Sequence, residues 1–148
     1  MNSIGGIGLR LEKEIWPSFN KLICSTGKSP GADDWPLAEK EIVKPLWAKL
    51  QRQGLKLPRF DGQIEKLAGS IVRGCVKKQK VNFCKKADLE KMKGCMVDKA
   101  MGFIMGNLDL ADKYGDEANC KIAEKILNDK AIWDWGRAIV VKFAKKVT

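Results

Sequence analysis

Apolar residues recur along this chain at intervals of three and four positions, the spacing that places them on one side of an α-helix. Two clear runs are Leu11, Ile15, Phe19, Leu22 and Ile23, and later Ile64, Leu67, Ile71 and Cys75. Strict alternation of apolar and polar residues over the length of a strand is absent. The pattern predicts an all-α protein, a single-domain bundle of about five to six helices spanning residues 1–148.

Prolines, glycines and aspartates predict where these helices begin and end. The first helix is expected over about residues 7–25, where Pro17 either kinks it or starts a second piece. Pro45 is expected to bend a later helix, which Gly54 ends. Four aspartates stand just before an apolar periodic run and are predicted to be N-caps: Asp34, Asp61, Asp88 and Asp129.

The middle of the chain predicts a helical hairpin. The helices expected after Asp61 and Asp88 are separated only by Val81–Ala87, which is short enough to make them antiparallel neighbours over about residues 63–105. The second of these helices is expected to bury the following residues: Leu89, Met92, Met96, Ala100, Phe103 and Ile104.

Charge is concentrated in the same region. The formal net charge of the chain is +10, and residues 73–95 carry +6 of it, because they contain eight cationic residues and only two acids, Asp88 and Glu90. Residues 77–86 contain five lysines and no acid. The hairpin would place this run at its tip, where it could attract an acidic partner.

Five cysteines and no histidine limit the chemistry that the chain can support. A helical rise of 1.5 Å per residue puts Cys75 and Cys95 at heights that differ by about 3 Å across the hairpin, so the two could pair. Cys84 could then reach Cys120, which leaves Cys24 free; five free thiols are the open alternative. Because no CxxC pair is present, we predict no zinc site and no other metal or cofactor.

The predicted function is non-enzymatic docking on an acidic macromolecule. A protein surface is the first expectation, and nucleic acid or an anionic membrane surface are the alternatives. The residues predicted to contact the partner are Arg73, Lys77, Lys78, Lys80, Phe83, Lys85, Lys86 and Trp133. Trp133 belongs to this set because it lies off the main apolar face of its predicted helix.

An enzymatic alternative rests on carboxylates. Without histidine, Ser-His and Cys-His nucleophile pairs are excluded. A small, basic, tryptophan-containing helical chain resembles muramidases in composition, although no lysozyme motif is present. That resemblance implies a hydrolase with an acid and its partner among Glu12, Glu14, Asp33 and Asp34.

The sequence also bears on location. No apolar run approaches the roughly 20 residues that a membrane-spanning helix needs. Residues 1–15 lack the basic start and apolar block of a secretory signal. The expectation is an intracellular protein, unless a leader was removed.

Overall fold

The computed structural model describes residues 3–27 and 29–147, with side chains from residue 9 onward. About 80% of the chain is helical, and no strand occurs in these two ranges. The predicted all-α class is therefore confirmed.

The helices follow one another with short connections. In chain order they are α1 (Ser3–Glu14), α2 (Trp16–Ser25), α3 (Trp35–Ala38), α4 (Lys44–Arg52), α5 (Gly62–Ile71), α6 (Lys86–Gly106), α7 (Leu108–Tyr114), α8 (Glu117–Leu127) and α9 (Lys130–Val147). A 3₁₀ turn, Ala32–Asp34, precedes α3. Two π-helical segments, Glu39–Val43 and Val72–Lys77, follow α3 and α5 without a break.

Two prolines shape the first half of the fold. Pro17 lies in the first turn of α2, where its missing N–H removes no helical hydrogen bond, so it starts a second helix instead of kinking the first. Pro45 lies in the first turn of α4, directly after the π-helical segment Glu39–Val43. A π-helical turn widens the helix where the proline ring would meet a backbone carbonyl of the preceding turn, so the helix continues through Pro45.

The centre of the core lies between α2 and α9. Phe19 and Ile23 of α2 are buried against Phe143 and Ala144 of α9, and Ile23 and Ala144 have no exposed surface. The rings of Phe19 and Phe143 stack with centroids 6.3 Å apart. Burying side chains of this size stabilises the fold by about 1.5 to 3 kcal/mol each, so this contact is a principal source of stability.

One predicted disulfide is confirmed and the other is wrong. Cys75 pairs with Cys95 and joins the π-helical segment to α6, with Cα atoms 5.5 Å apart. Cys84 pairs with Cys24, not with Cys120, which is a free thiol in α8. The reason is tertiary: the packing of α2 places Cys24 beside residue 84, with Cα atoms 5.7 Å apart.

The predicted N-caps are only partly correct. Asp129 accepts a hydrogen bond from the backbone N–H of Ala131 (3.0 Å) at the start of α9, as expected. Asp61 occupies the N-cap position of α5, but its carboxylate pairs with Arg59 and makes no capping hydrogen bond. Asp34 has helical backbone angles and accepts from the preceding Gly31 N–H instead. Asp88 lies inside α6, which begins at Lys86.

The second half of α6 is more exposed than predicted. Met96 and Ile104, both expected to be buried, are 38% exposed, and three further side chains, Val97, Met101 and Met105, are at least half exposed. Val97, Met101, Ile104 and Met105 are spaced three and four positions apart and so lie along one side of the helix. We call these four residues the apolar face of α6.

Asn119 of α8 fixes the connector between α4 and α5. Its side chain is 5% exposed, accepts from the backbone N–H of Lys56 (2.8 Å), and donates to the carbonyls of Lys56 (2.9 Å) and Tyr114 (2.7 Å). Its own N–H donates to the carboxylate of the N-cap Asp116 (2.7 Å). Asn119 therefore satisfies partly buried backbone groups of Lys56 and Tyr114.

The disulfide pattern predicts a thiol count. Denatured, unreduced protein should expose one titratable thiol, Cys120, and reduced protein should expose five. Cys120→Ser should lower each count by one. Three thiols before reduction would contradict one of the two disulfides, and five would contradict both.

The Asn119 network predicts a large loss of stability. Asn119→Ala should lower the free energy of unfolding by about 1 to 3 kcal/mol, because it removes three hydrogen bonds of a buried side chain to partly buried backbone groups. Asn128→Ala is the matched control, since Asn128 is exposed and donates only to the Glu124 carbonyl; its effect should stay within about 0.5 kcal/mol. Equal effects in urea denaturation would contradict the anchoring role.

Candidate functional site

The lysine-rich residues 77–86, here called the basic segment, begin where a helix ends in a Schellman motif. The N–H of Val81 donates to the Val76 carbonyl and the N–H of Lys80 donates to the Lys77 carbonyl, each at 3.2 Å. Lys80 has a φ of +49°, in the left-handed region that usually favours glycine at this position. Val81, the next residue, is 9% exposed and anchors the turn in the core.

The backbone after this turn is held by consecutive side-chain hydrogen bonds. The N–H of Asn82 donates to the Asp88 carboxylate (2.9 Å), and the N–H of Cys84 donates to the Asn82 side chain (2.9 Å). The N–H of Phe83 donates to the Ser29 hydroxyl (3.0 Å). Together with the Cys24–Cys84 disulfide, these bonds fix the backbone that carries the lysines.

Neither predicted aromatic contact residue is available at the surface. Phe83 is half-buried, packs against the core and lies 6.4 Å from the Trp16 ring. Trp133 is only 7% exposed, and its Nε1 donates to the Leu127 carbonyl (2.8 Å). Trp133 therefore lacks the exposure expected of a contact residue, because α9 buries a second face beneath Arg10, whose guanidinium lies 5.3 Å from the centre of the Trp133 ring.

The lysines themselves remain available. Within the described part of the chain, the five lysines of the basic segment are all exposed and none makes an ion pair: Lys77, Lys78, Lys80, Lys85 and Lys86. The segment thus combines a fixed backbone with cationic side chains that no described acid neutralises. Such a surface attracts anionic groups.

Arg73 has a different environment from the lysines. It lines a groove of about 590 Å³ together with Asp33, Glu39 and Glu65, while Lys77 lies on the same wall. Arg73 therefore shares this groove with three acids and with Lys66, and no ion pair of the described residues joins Arg73 to any of these acids. Arg73 does not simply extend the basic segment, although the sequence placed it in the same set.

A second groove borders the basic segment at Cys84 and Lys86. It has a volume of about 530 Å³, includes Leu11 in its wall and is lined mainly by apolar surface. An ion pair between Glu12 of α1 and Lys93 of α6 crosses this region. The hydrogen bond from Lys93 to Glu12 raises the pKa of the Lys93 ammonium above its ordinary value of 10.5.

The carboxylates considered for hydrolysis are used in structural contacts. Glu12 pairs with Lys93, and Glu14 pairs with Arg137 at 3.1 Å. Asp34 accepts from the Gly31 N–H at 2.9 Å. Glu12 also lines the mainly apolar 530 Å³ groove, where Lys93 pairs with its carboxylate, and Asp33 lines the 590 Å³ groove beside Arg73.

Over residues 3–27 and 29–147, no group of three or more His, Cys, Asp or Glu side chains could hold a metal ion. None of the helices there is long and apolar enough to cross a membrane. No protein-family model matches the chain, and no curated protein or solved structure is significantly similar to it.

Sequence reasoning missed the parts that make the segment rigid. Lys80 adopts a left-handed conformation without the glycine that normally signals one, and Ser29 and Cys24 come from a distant part of the chain. Only the Asn82 contact had a local signal, because an asparagine side chain commonly accepts from the N–H two residues later.

The Lys80 conformation predicts opposite effects for two neutral substitutions. Lys80→Gly should raise the free energy of unfolding by about 1 kcal/mol, because glycine relieves the left-handed strain. Lys80→Val should lower it by at least about 1 kcal/mol, since a β-branched residue fits this region poorly. Both remove the same charge, so denaturant titration isolates the backbone effect. Equal stability of the two variants would contradict the strained turn.

Proposed function

We propose that this protein is a non-enzymatic interaction protein that docks on an acidic protein through its basic segment. In this proposal α5, its π-helical extension and α6 act as an antiparallel hairpin, and the segment is its tip. The partner contacts Lys78, Lys80, Lys85 and Lys86 directly, and Lys77 borders the contact.

The observation that carries the proposal is five unpaired lysines on a fixed backbone. Surface lysines that only increase solubility act through their charge, which does not require a fixed backbone conformation. Here Asp88, Ser29 and the Asn82 side chain each accept from one backbone N–H in the segment, and a disulfide secures Cys84. A pre-organised backbone lowers the entropy lost when a partner binds.

Two further observations favour a protein over nucleic acid. Phe83 is half-buried against the core, so only part of its ring is open for a base to stack on. The apolar face of α6, with Val97, Met101 and Met105 at least half exposed, belongs to the helix that begins at the segment. A protein interface combines an apolar centre with a charged rim, and α6 offers both.

The disulfides bear on where this docking takes place. Disulfides persist in oxidising compartments and are rare where thiols are kept reduced. With Cys24–Cys84 and Cys75–Cys95 both formed, we place the interaction in an oxidising compartment.

Charge reversal tests the proposal. A variant with Lys78, Lys80, Lys85 and Lys86 changed to Glu should lose at least about tenfold in recovery of an acidic protein from an extract of the native source. The matched control reverses four exposed lysines elsewhere: Lys66, Lys125, Lys130 and Lys142. Each variant changes the net charge by −8, from +10 to +2, so only the position differs. Unchanged circular dichroism establishes folding, and equal recovery with both variants would contradict the proposal.

A second variant distinguishes a protein partner from a nucleic-acid partner, because it should change the binding affinity for the two in opposite directions. Met101→Lys with Met105→Lys adds two cations to the apolar face, so it should strengthen binding to any polyanion, including a DNA duplex. It should weaken binding to a protein that covers this face. If the protein recovered in the first experiment binds more tightly to this variant, the apolar face does not contribute. A DNA affinity that falls steeply with salt and exceeds the affinity for that protein would assign the segment to nucleic acid.

A further inference from the structure

A partly open apolar pocket, here called the cavity, lies between helices and apart from the basic segment. Its volume is about 170 Å³, and α1, α4, α8 and α9 contribute to its wall. Leu46 and Leu50 face it from α4, Ala123 and Ile126 from α8, and Ile132 and Trp133 from α9. Protein interiors are close-packed, and voids much larger than a water molecule are few.

The wall presents almost no polar surface. All its side chains are hydrocarbon except Trp133, whose Nε1 already donates to the Leu127 carbonyl at 2.8 Å. A water molecule in a cavity needs two to four polar partners, which this wall does not provide. The occupant that the cavity accepts is therefore apolar and uncharged.

The cavity also has a route to the surface. Leu11 lines the cavity and also the 530 Å³ groove beside Lys86, and it is 41% exposed. Its helix, α1, is held to α9 by Arg137, which donates to the Glu14 carbonyl (2.8 Å) and pairs with the Glu14 carboxylate. Movement of the Leu11 side chain would connect the groove to the cavity while this anchor stays in place.

We propose that the cavity is a binding site for a small, neutral, apolar molecule of roughly six to eight carbon atoms, which enters past Leu11. The size follows from comparison with an apolar cavity of about 150 Å³ in another protein, which stays dry and binds benzene. The site is independent of the docking proposed above, because none of its lining residues belongs to residues 77–86.

Titration of the full-length, oxidised protein with toluene tests the site. Saturable amide shifts in two-dimensional NMR should concentrate in α4, α8 and α9, whereas benzoate of the same ring size should not saturate. Ala123→Leu should weaken toluene binding at least about tenfold by filling the cavity. Ala118→Leu makes the same change on an exposed position of the same helix and should alter the affinity less than about twofold.

A milder variant keeps the test decisive if Ala123→Leu does not fold. A Cβ at Gly136 would lie 3.4 Å from Ile15 Cδ1, a contact that a small shift of Ile15 accommodates, and alanine also favours helix α9. Gly136→Ala should therefore fold and weaken toluene binding about two- to fivefold.

The entry route has a test of its own. Leu11→Ala should accelerate toluene exchange with a smaller effect on affinity. The absence of saturable shifts, or benzoate binding as tight as toluene binding, would overturn the proposal.

Discussion

The packing of α2 against α9 is the contact on which the rest of the structure depends. Phe19 and Ile23 are buried against Phe143 and Ala144, and other residues of each helix form part of a different feature of the molecule. On α2, Cys24 comes directly after Ile23 and holds the basic segment through Cys84. On α9, Trp133 and Gly136 lie towards the N-terminal end and close the cavity. A loss of this contact would therefore affect both features together.

The basic segment shows how a surface feature can be ordered by distant parts of a chain. Its five lysines lie within ten residues of sequence, but its rigidity comes from Cys24 and Ser29, about 55 to 60 residues earlier. The strained conformation of Lys80 is retained because Val81 is buried and its N–H completes the helix end. A strained backbone conformation at a non-glycine residue persists only where surrounding contacts hold it in place, and such positions are often functional.

Local physics explains which expectations succeeded. The Cys75–Cys95 pair follows from helical rise alone, because both cysteines lie near a short connection and long-range packing does not intervene. The Cys24–Cys84 pair required knowledge of how α2 docks, and no sequence spacing carries that information. The failures on α6 and α9 share one cause. A periodic pattern assumes one buried face, whereas α9 buries two and the second half of α6 leaves its apolar residues exposed.

The cavity and the basic segment meet at the groove that contains Leu11 and Lys86. The apolar wall of the cavity lacks packing partners on its open side, so an occupant would supply contacts that the protein alone does not make. A partner seated on the proposed docking surface could also cover the groove. A partner that blocks the groove would slow the entry and the exit of the occupant by the same factor, so the affinity of the occupant would not change. Binding at one site would then alter only the rates of binding at the other. Coupling in affinity would additionally require the partner to change the packing of α1 over the cavity, since only a differential contact can shift an equilibrium.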